Sequence, residues 1–214
     1  MIEEGASKQG TTGERAAAPP ARARWREVAA ATGLVAADGS TRPTIFAEMS
    51  ALAASTGAAN LGQGFPDEDG PEWIREAAVT AIRGGANQYP PGRGVPALRV
   101  AVAEHQRRRY GLELDPETEV LITAGATEAL TAAILALAGP GDEVLTIEPF
   151  YDSHAAAIAL AGATHTTVPL VPSAGGFRLD LDALRAAATD RTRLILVNTP
   201  HNPTGAVLDA ADLA

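Results

Sequence analysis

The chain has no cysteine among its 214 residues, which excludes disulfides, thiolate metal sites and a cysteine nucleophile. It has a single lysine, Lys8, so any chemistry that needs an amine side chain has only that residue to draw on. Aromatic residues make up 4%, and a core must be built from Ala, Leu, Val and Ile. No stretch approaches the roughly 18 uninterrupted apolar residues of a transmembrane helix. Met1-Ile2 is followed at once by Glu3 and Glu4, so a secretory leader is not expected and a cytoplasmic location is. Positive charge is also short: the formal net charge is −9. Basic and acidic residues balance before residue 42, and the acidic surplus therefore falls on residues 42–214, a poor surface for nucleic acid.

Several familiar motifs are missing as well. There is no G-K-[ST] phosphate loop and no G-x-S-x-G elbow. The histidines, His105, His154, His165 and His201, show no metal-ligand spacing, and each reads as a surface or hydrogen-bonded residue. Gly92 to Ala97 fits a loose dinucleotide fingerprint but follows Tyr89-Pro90-Pro91 rather than a buried strand, which argues against that site.

What is present is 46% hydrophobic and strongly patterned. Residues 1–41, rich in small and polar residues around Pro19-Pro20, read as a disordered extension. Pro43 suits the first turn of a helix running to about Ser55 and stopped by Gly57. Pro71 opens a second helix, with Trp73, Ile74, Ala77, Ala78, Ala81 and Ile82 at helical spacing, closed by Gly84-Gly85. A third helix runs from Pro96 to about Tyr110. From Glu119 the pattern alternates. Strands are expected at 119–123, 143–147, 164–169 and 193–198, and helices at 126–138, 152–161 and 180–188, with another starting near Asp209. A Gly175-Gly176 turn interrupts the series. Such alternation implies an α/β fold, a mostly parallel sheet between two helical layers. The last residues read as the first turn of a helix without a C-cap, so the sequence looks cut.

Ligands of open α/β sheets sit beyond the carboxyl ends of the strands, and three such ends carry unusual chemistry. Thr123 to Glu128 is a strand end, a Gly-Ala-Thr turn and a helix start. Its free N–H groups and the Thr127 hydroxyl form a phosphate site, or else an ordinary capped turn. Phe150 and Tyr151 place two rings at a second strand end, for stacking on a planar heterocycle or for core packing. Leu194 to Gly205 runs from an apolar strand into a turn whose prolines, Pro200 and Pro203, stiffen the backbone around Asn202.

Together these segments resemble the fold-type-I, class I/II pyridoxal-phosphate (PLP) aminotransferases. The likeness is strongest to the succinyldiaminopimelate aminotransferases and to the kynurenine aminotransferase/cysteine-conjugate β-lyase group. It is carried by Thr44 to Ser50, Asn60 to Asp67, Asn87-Gln88-Tyr89 and His201 to Gly205. The resemblance implies the three-layer PLP-transferase major domain in incomplete form, with residues 42–59 as a helical arm of the small domain and 60–214 as the first part of the large domain. It implies PLP as cofactor, held by Gly125, Ala126 and Thr127 at its phosphate, Tyr151 on its ring and Asn202 at its 3-oxygen. Gly64 is similar to a backbone position that meets the substrate carboxylate. Tyr89 matches a tyrosine that reaches the neighbouring subunit's phosphate, which implies a homodimer. His154 matches a position behind the residue that binds the pyridine nitrogen.

The implied reaction is ping-pong transfer of an amino group from an amino acid to a 2-oxo acid. A C–S β-lyase of the same fold and a non-catalytic remnant are the alternatives. The family's Schiff-base lysine lies downstream of the Asn-Pro-Thr-Gly turn, and the sequence ends before reaching one. The 214-residue polypeptide by itself is therefore expected to be inactive.

Overall fold

The central strand of the fold has no solvent-facing side. Val144, Leu145, Thr146 and Ile147 are each 3% exposed or less, as a parallel strand covered on both faces requires. The computed structural model describes residues 24–64, 66 and 68–214. Its helices are α1 (Arg24–Ala31), α2 (Ile45–Thr56), α3 (Glu72–Arg83), α4 (Pro96–Tyr110), α5 (Gly125–Leu137), α6 (Asp152–Ala161) and α7 (Leu181–Ala187). Its strands are β1 (Glu143–Glu148), β2 (Thr164–Pro169), β3 (Val171–Ser173), β4 (Gly176–Arg178) and β5 (Thr192–Leu196).

Strand β1 lies between β2 and β5 and is parallel to both. Alternation along it divides the core in two. Val144 packs with Ile134 of α5, with that helix's C-cap Ala138 and with Ala157, Ile158 and Ala161 of α6, against Leu194 and Leu196 of β5. Leu145 and Ile147 point the other way, into a cluster with Val168, Leu170, Leu179 and Leu208 that α7 borders through Leu181, Ala183, Leu184 and Ala187. The expected α/β/α layering is what these two clusters build. Helix α6 contributes mostly alanines to its buried face, so it sits close to the sheet, and His154 and Ile158 are the large side chains it inserts.

Most expected elements form within a residue or two of their anticipated bounds. Pro43 lies just outside α2 rather than in its first turn. The cap is Thr44, whose hydroxyl accepts the Ala47 N–H at 3.2 Å, and Gly57 closes the helix in the left-handed conformation. Four expectations are corrected.

Residues 119–123 form no strand. Ile122 donates its N–H to the Arg93 carbonyl at 3.2 Å, but the segment joins no ladder, and alternation alone cannot make a strand without a neighbour's backbone. The segment starting at Asp209 is a single turn rather than a helix, with the Asp209 carboxylate accepting the Ala211 and Asp212 N–H groups at 2.7 and 3.0 Å. The expected Gly175-Gly176 turn falls on Ala174-Gly175, with Gly176 opening β4, and it joins the short antiparallel strands β3 and β4, each too brief to show a period in sequence.

The expectation of disorder to residue 41 fails over its last part. Residues 24–31 are helical, and Val35 bridges Thr41. Val28, Ala29 and Leu34 face Ala156 and Leu160 of α6 across a cleft of about 760 Å³, a tertiary surface that local composition does not reveal. Residues 1–23 of the expected extension lie outside the described residues.

The N-terminal helices are less well covered. On α3 the apolar stripe seen in the sequence stays in solvent, with Trp73 73% exposed. Helix α4 is held instead by a clamp: Arg99, 4% exposed, pairs with the Glu117 carboxylate at 3.1 Å and donates to the Pro116 carbonyl at 2.7 Å.

Beside that clamp, Gly94 has φ +93°, and a Cβ there would lie 2.5 Å from Ile122 Cγ1. Gly94→Ala combines a left-handed residue with overpacking, about 2–4 kcal/mol in all. Urea denaturation should show a loss of that size. A midpoint shift equivalent to under 1 kcal/mol would mean that the 93–122 contact is not rigid.

Candidate functional site

Because β1, β2 and β5 are parallel, their carboxyl ends share one edge of the sheet. Strand β1 leaves that edge through Glu148-Pro149-Phe150, and Tyr151 stands at the N-cap of α6. Strand β5 leaves it through Val197 and Asn198 into the Thr199–Gly205 turn. Helix α5 runs the opposite way. Its C-terminal Leu137 carbonyl accepts Arg193 Nε at 3.2 Å, at the amino-terminal end of β5. Its 13 residues span about 20 Å, which returns its first turn to the carboxyl edge. The topology thus puts Gly125, Ala126 and Thr127, Tyr151 and Asn202 at one rim.

The first turn of α5 carries no side-chain cap on its N-cap residue. Glu128 bends back to accept the Ala124 N–H, and Gly125 N–H goes to the Thr123 carbonyl at 2.8 Å. The Ala126 and Thr127 N–H groups have no acceptor within the helix, and Thr127 is exposed. A Cβ on Gly125 would meet nothing within 4 Å, so the approach is open. These donors and the dipole of α5 suit an anion, although the Glu128 carboxylate opposes part of that field.

The two rings at the end of β1 divide their work. Phe150 packs edge-on to His165, with centroids 4.7 Å apart, and lines the interior. Tyr151 stays half-buried at the rim, edge-on to His154 at 6.1 Å.

Behind the rim lies a narrow cleft lined by Thr146, Ile147, Phe150, His154, Leu196, Asn198 and His201. Its volume, about 10 Å³, is near the least that holds one water, so a heterocycle belongs outside it. His154 and His201 are each 5% exposed. His201 Nδ1 pairs with Thr204 Oγ1 at 2.9 Å, whereas the buried His154 Nδ1 has no partner among the described residues. His165, in turn, pairs through Nε2 with Thr146 Oγ1 at 2.8 Å. Sequence reading passed over His201 and Asn198. Their signal was adjacency to Asn202 inside one proline-bounded run, which burial turned into a cluster.

Burial pushes the His154 pKa down, His201 pushes the same way and Asp152 opposes. Burial also lowers His165, with His154 adding to it and Glu148 opposing. A folded-state value below the unfolded one means that the native protein favours the neutral ring. That stability is complete above the unfolded histidine value of about 6.5 and is lost as pH falls through it toward the folded values. Urea midpoints between pH 7.5 and 5.5 are therefore expected to fall more steeply for the native sequence than for His154→Gln. Parallel slopes would remove His154 from this account.

Two expected site residues are not brought to the rim. Tyr89 is 100% exposed. Gly64 has no neighbour near its Cβ position, and its segment is tied instead to α2, where Asn60 Nδ2 donates to Ser50 Oγ at 3.1 Å. The 760 Å³ cleft beside α1 is lined by none of Gly125, Ala126, Thr127, Tyr151 or Asn202. Among the described residues no group of three His, Asp or Glu side chains could hold a metal ion, and no helix is long and apolar enough to cross a membrane.

Comparison with known proteins identifies the family. Residues 56–214 match the family described as aminotransferase class I and II. The chain is 63% identical over 171 residues to the probable N-succinyldiaminopimelate aminotransferase of Mycobacterium tuberculosis, covering 80% of this chain and 43% of that protein. It is 49% identical to the methionine aminotransferase of Escherichia coli, covering 80% and 44%. The solved structure of the N-succinyldiaminopimelate aminotransferase from M. tuberculosis superposes with a TM-score of 0.77 over 80% of this chain and 45% of that one. The chain spans less than half the length of these relatives.

Proposed function

This chain belongs to the class I and II aminotransferases, and on that premise we propose that it is the N-terminal part of a PLP-dependent enzyme that moves an amino group from an amino acid to a 2-oxo acid. The observation that carries the proposal is the shared rim: an uncapped helix start, an aromatic ring and a pinned asparagine at one edge of a parallel sheet.

When bound, PLP supplies an electron sink for the bond-breaking at the amino acid's Cα. In this reading the Ala126 and Thr127 N–H groups and the Thr127 hydroxyl hold its phosphate, and Gly125 keeps the approach clear. Tyr151 offers its ring face to the pyridine, and the Asn202 amide donates to the 3-oxygen. His154 Nδ1, without a partner among the described residues, would bond a polar side chain from outside these 214 residues. Such a bond would orient the group that meets the pyridine nitrogen. A lysine to carry the cofactor and move the Cα proton would have to come from outside these 214 residues, whose one lysine is Lys8. Gly64 contacts the substrate carboxylate and Tyr89 crosses to a second copy in a homodimer. Both contacts need covering chain that the described residues do not provide, which fits the exposure of these two positions.

The similarity to an N-succinyldiaminopimelate aminotransferase makes that diamino acid the first donor to assay, with a 2-oxo acid as acceptor, and methionine the second. The test is to sequence the gene past the codon for Ala214 and to assay the product of the continuous frame. A frame that continues into a lysine-bearing segment, with amino transfer on either donor, is expected. An in-frame stop directly after Ala214, or a longer product without amino transfer, overturns the proposal.

A further inference from the structure

Asn202 is exposed, yet both of its flanks are anchored in the cleft behind the rim. On one side its own N–H donates to Asn198 Oδ1 at 2.8 Å. On the other, His201 Nδ1 pairs with Thr204 Oγ1 at 2.9 Å, which closes a ring of bonds around Asn202-Pro203. Four further bonds fix this loop. Gly205 N–H donates to the His201 carbonyl and His201 N–H to the Ala206 carbonyl, both at 2.7 Å. Thr204 Oγ1 also accepts the Ala206 N–H at 3.3 Å. Leu208 N–H is held by Thr199 Oγ1 at 3.0 Å, which ties the loop to the Leu208 side of the core. A histidine 5% exposed next to an exposed asparagine is a costly arrangement for a simple turn, because burying a polar ring requires a bonded partner.

We propose that His201 is a positioning residue: through its Nδ1–Thr204 bond it holds the Asn202 amide in the orientation that meets the ring-bound ligand. The proposal rests on the cofactor reading of the rim and extends it to a residue that touches no ligand. The Asn202 side chain has two rotatable bonds and no side-chain bond of its own among those in the structure. Its direction is set by the backbone on either side. Without the Nδ1–Thr204 bond the Pro203-Thr204 segment is held only through the Gly205 and Ala206 N–H groups, and that direction can wander. A 1 Å misplacement of a binding group is enough to weaken a hydrogen bond severely.

The probe is pyridoxamine 5′-phosphate, which has the ring, phosphate and 3-oxygen but no aldehyde to react with Lys8. It is titrated onto the 214-residue chain by equilibrium dialysis, and the pH midpoint of 3-oxygen ionisation is read from its ultraviolet band when bound. Asn202→Ala and His201→Leu are each expected to weaken binding by about ten-fold, the low end for a lost hydrogen bond to a charged acceptor. Each should raise the 3-oxygen midpoint, and the double variant should be no worse than either one. His201→Asn places an amide where Nδ1 stood and is expected to restore affinity, whereas His201→Gln, which mimics the other ring nitrogen, is not. Thr204→Val removes the same bond from the far side and serves if His201→Leu does not fold.

An unchanged affinity in Asn202→Ala overturns the cofactor reading and this inference with it. A weakened Asn202→Ala beside His201→Leu and Thr204→Val at native affinity overturns the inference alone. So do additive losses in the double variant, which would mark His201 as merely stabilising.

Discussion

The 214-residue chain incubated with PLP and reduced with borohydride is expected to carry label only at Lys8 and the amino terminus, and to show no transaminase turnover. Borohydride traps the imine that an aldehyde forms with an amine. The sequence offers the Lys8 side chain and the terminal amine and nothing else. Arginine does not substitute, because its guanidinium stays protonated at any working pH. The rim itself consists of Gly, Ala, Thr, Tyr, Asn and His, which can bind and orient a ring but cannot capture it covalently. Removing one positioned acid or base typically costs about 10²–10⁴-fold. A lysine that both tethers the cofactor and moves the proton is worth more than either role alone. The check is mass spectrometry of the reduced, digested chain together with a coupled assay for 2-oxo acid. A reduced adduct on any residue other than Lys8 or the terminus, or saturable turnover, would refute the account. Recovery of activity when a lysine-bearing downstream segment is restored would support it.

A comparably large effect on the fold is expected from Ile158→Ala. Ile158 is fully buried and packs with Ile134, Val144, Ala157 and Ala161. Its neighbours on α6 are alanines, which have no atoms to move into the vacated space, so the cavity should persist. The loss is then at the level seen for large-to-small changes in rigid cores, about 2–5 kcal/mol, or roughly 5–15 °C in Tm for a domain of this size. Leu160→Ala on the same helix is the control, because Leu160 is 38% exposed and should cost under about 1 kcal/mol by the same reasoning. Thermal and urea melts of both variants separate the cases. Equal losses would mean that α6 is not docked as described. The effect reaches the site, because Tyr151 is the N-cap of α6 and the helix carries His154. A loosened α6 is expected to blur the geometry of both.

The rim groups were legible in the sequence because each stands where a periodic segment breaks into a turn. Thr123 to Thr127, Phe150-Tyr151 and Asn198 to Gly205 all sit at the ends of apolar runs, and chain connectivity alone places such ends on one edge of a parallel sheet. The roles within the rim were less legible. Phe150 and Tyr151 are adjacent aromatics with the same local signal, and only packing assigned Phe150 to His165 and left Tyr151 outside. The histidines at 154 and 201 are 47 positions apart, and nothing local predicts that they share one cleft. Segment 119–123 has the alternation of a strand, yet it lacks the neighbour that would make it one.

By itself the sequence determined the order and bounds of most helices, the parallel character of the sheet and the restriction of amines to Lys8 and the amino terminus. These follow from period, from Gly and Pro punctuation, and from composition, which act over a few residues or over the whole chain at once. Tertiary structure alone decided the helix at 24–31, the failure of a strand at 119–123, the unpartnered His154 Nδ1 and the bonds that pin Asn202. Each of these depends on surfaces or polar partners brought together by folding, and whether a group is buried, bonded or left waiting is a property of that meeting rather than of the residue.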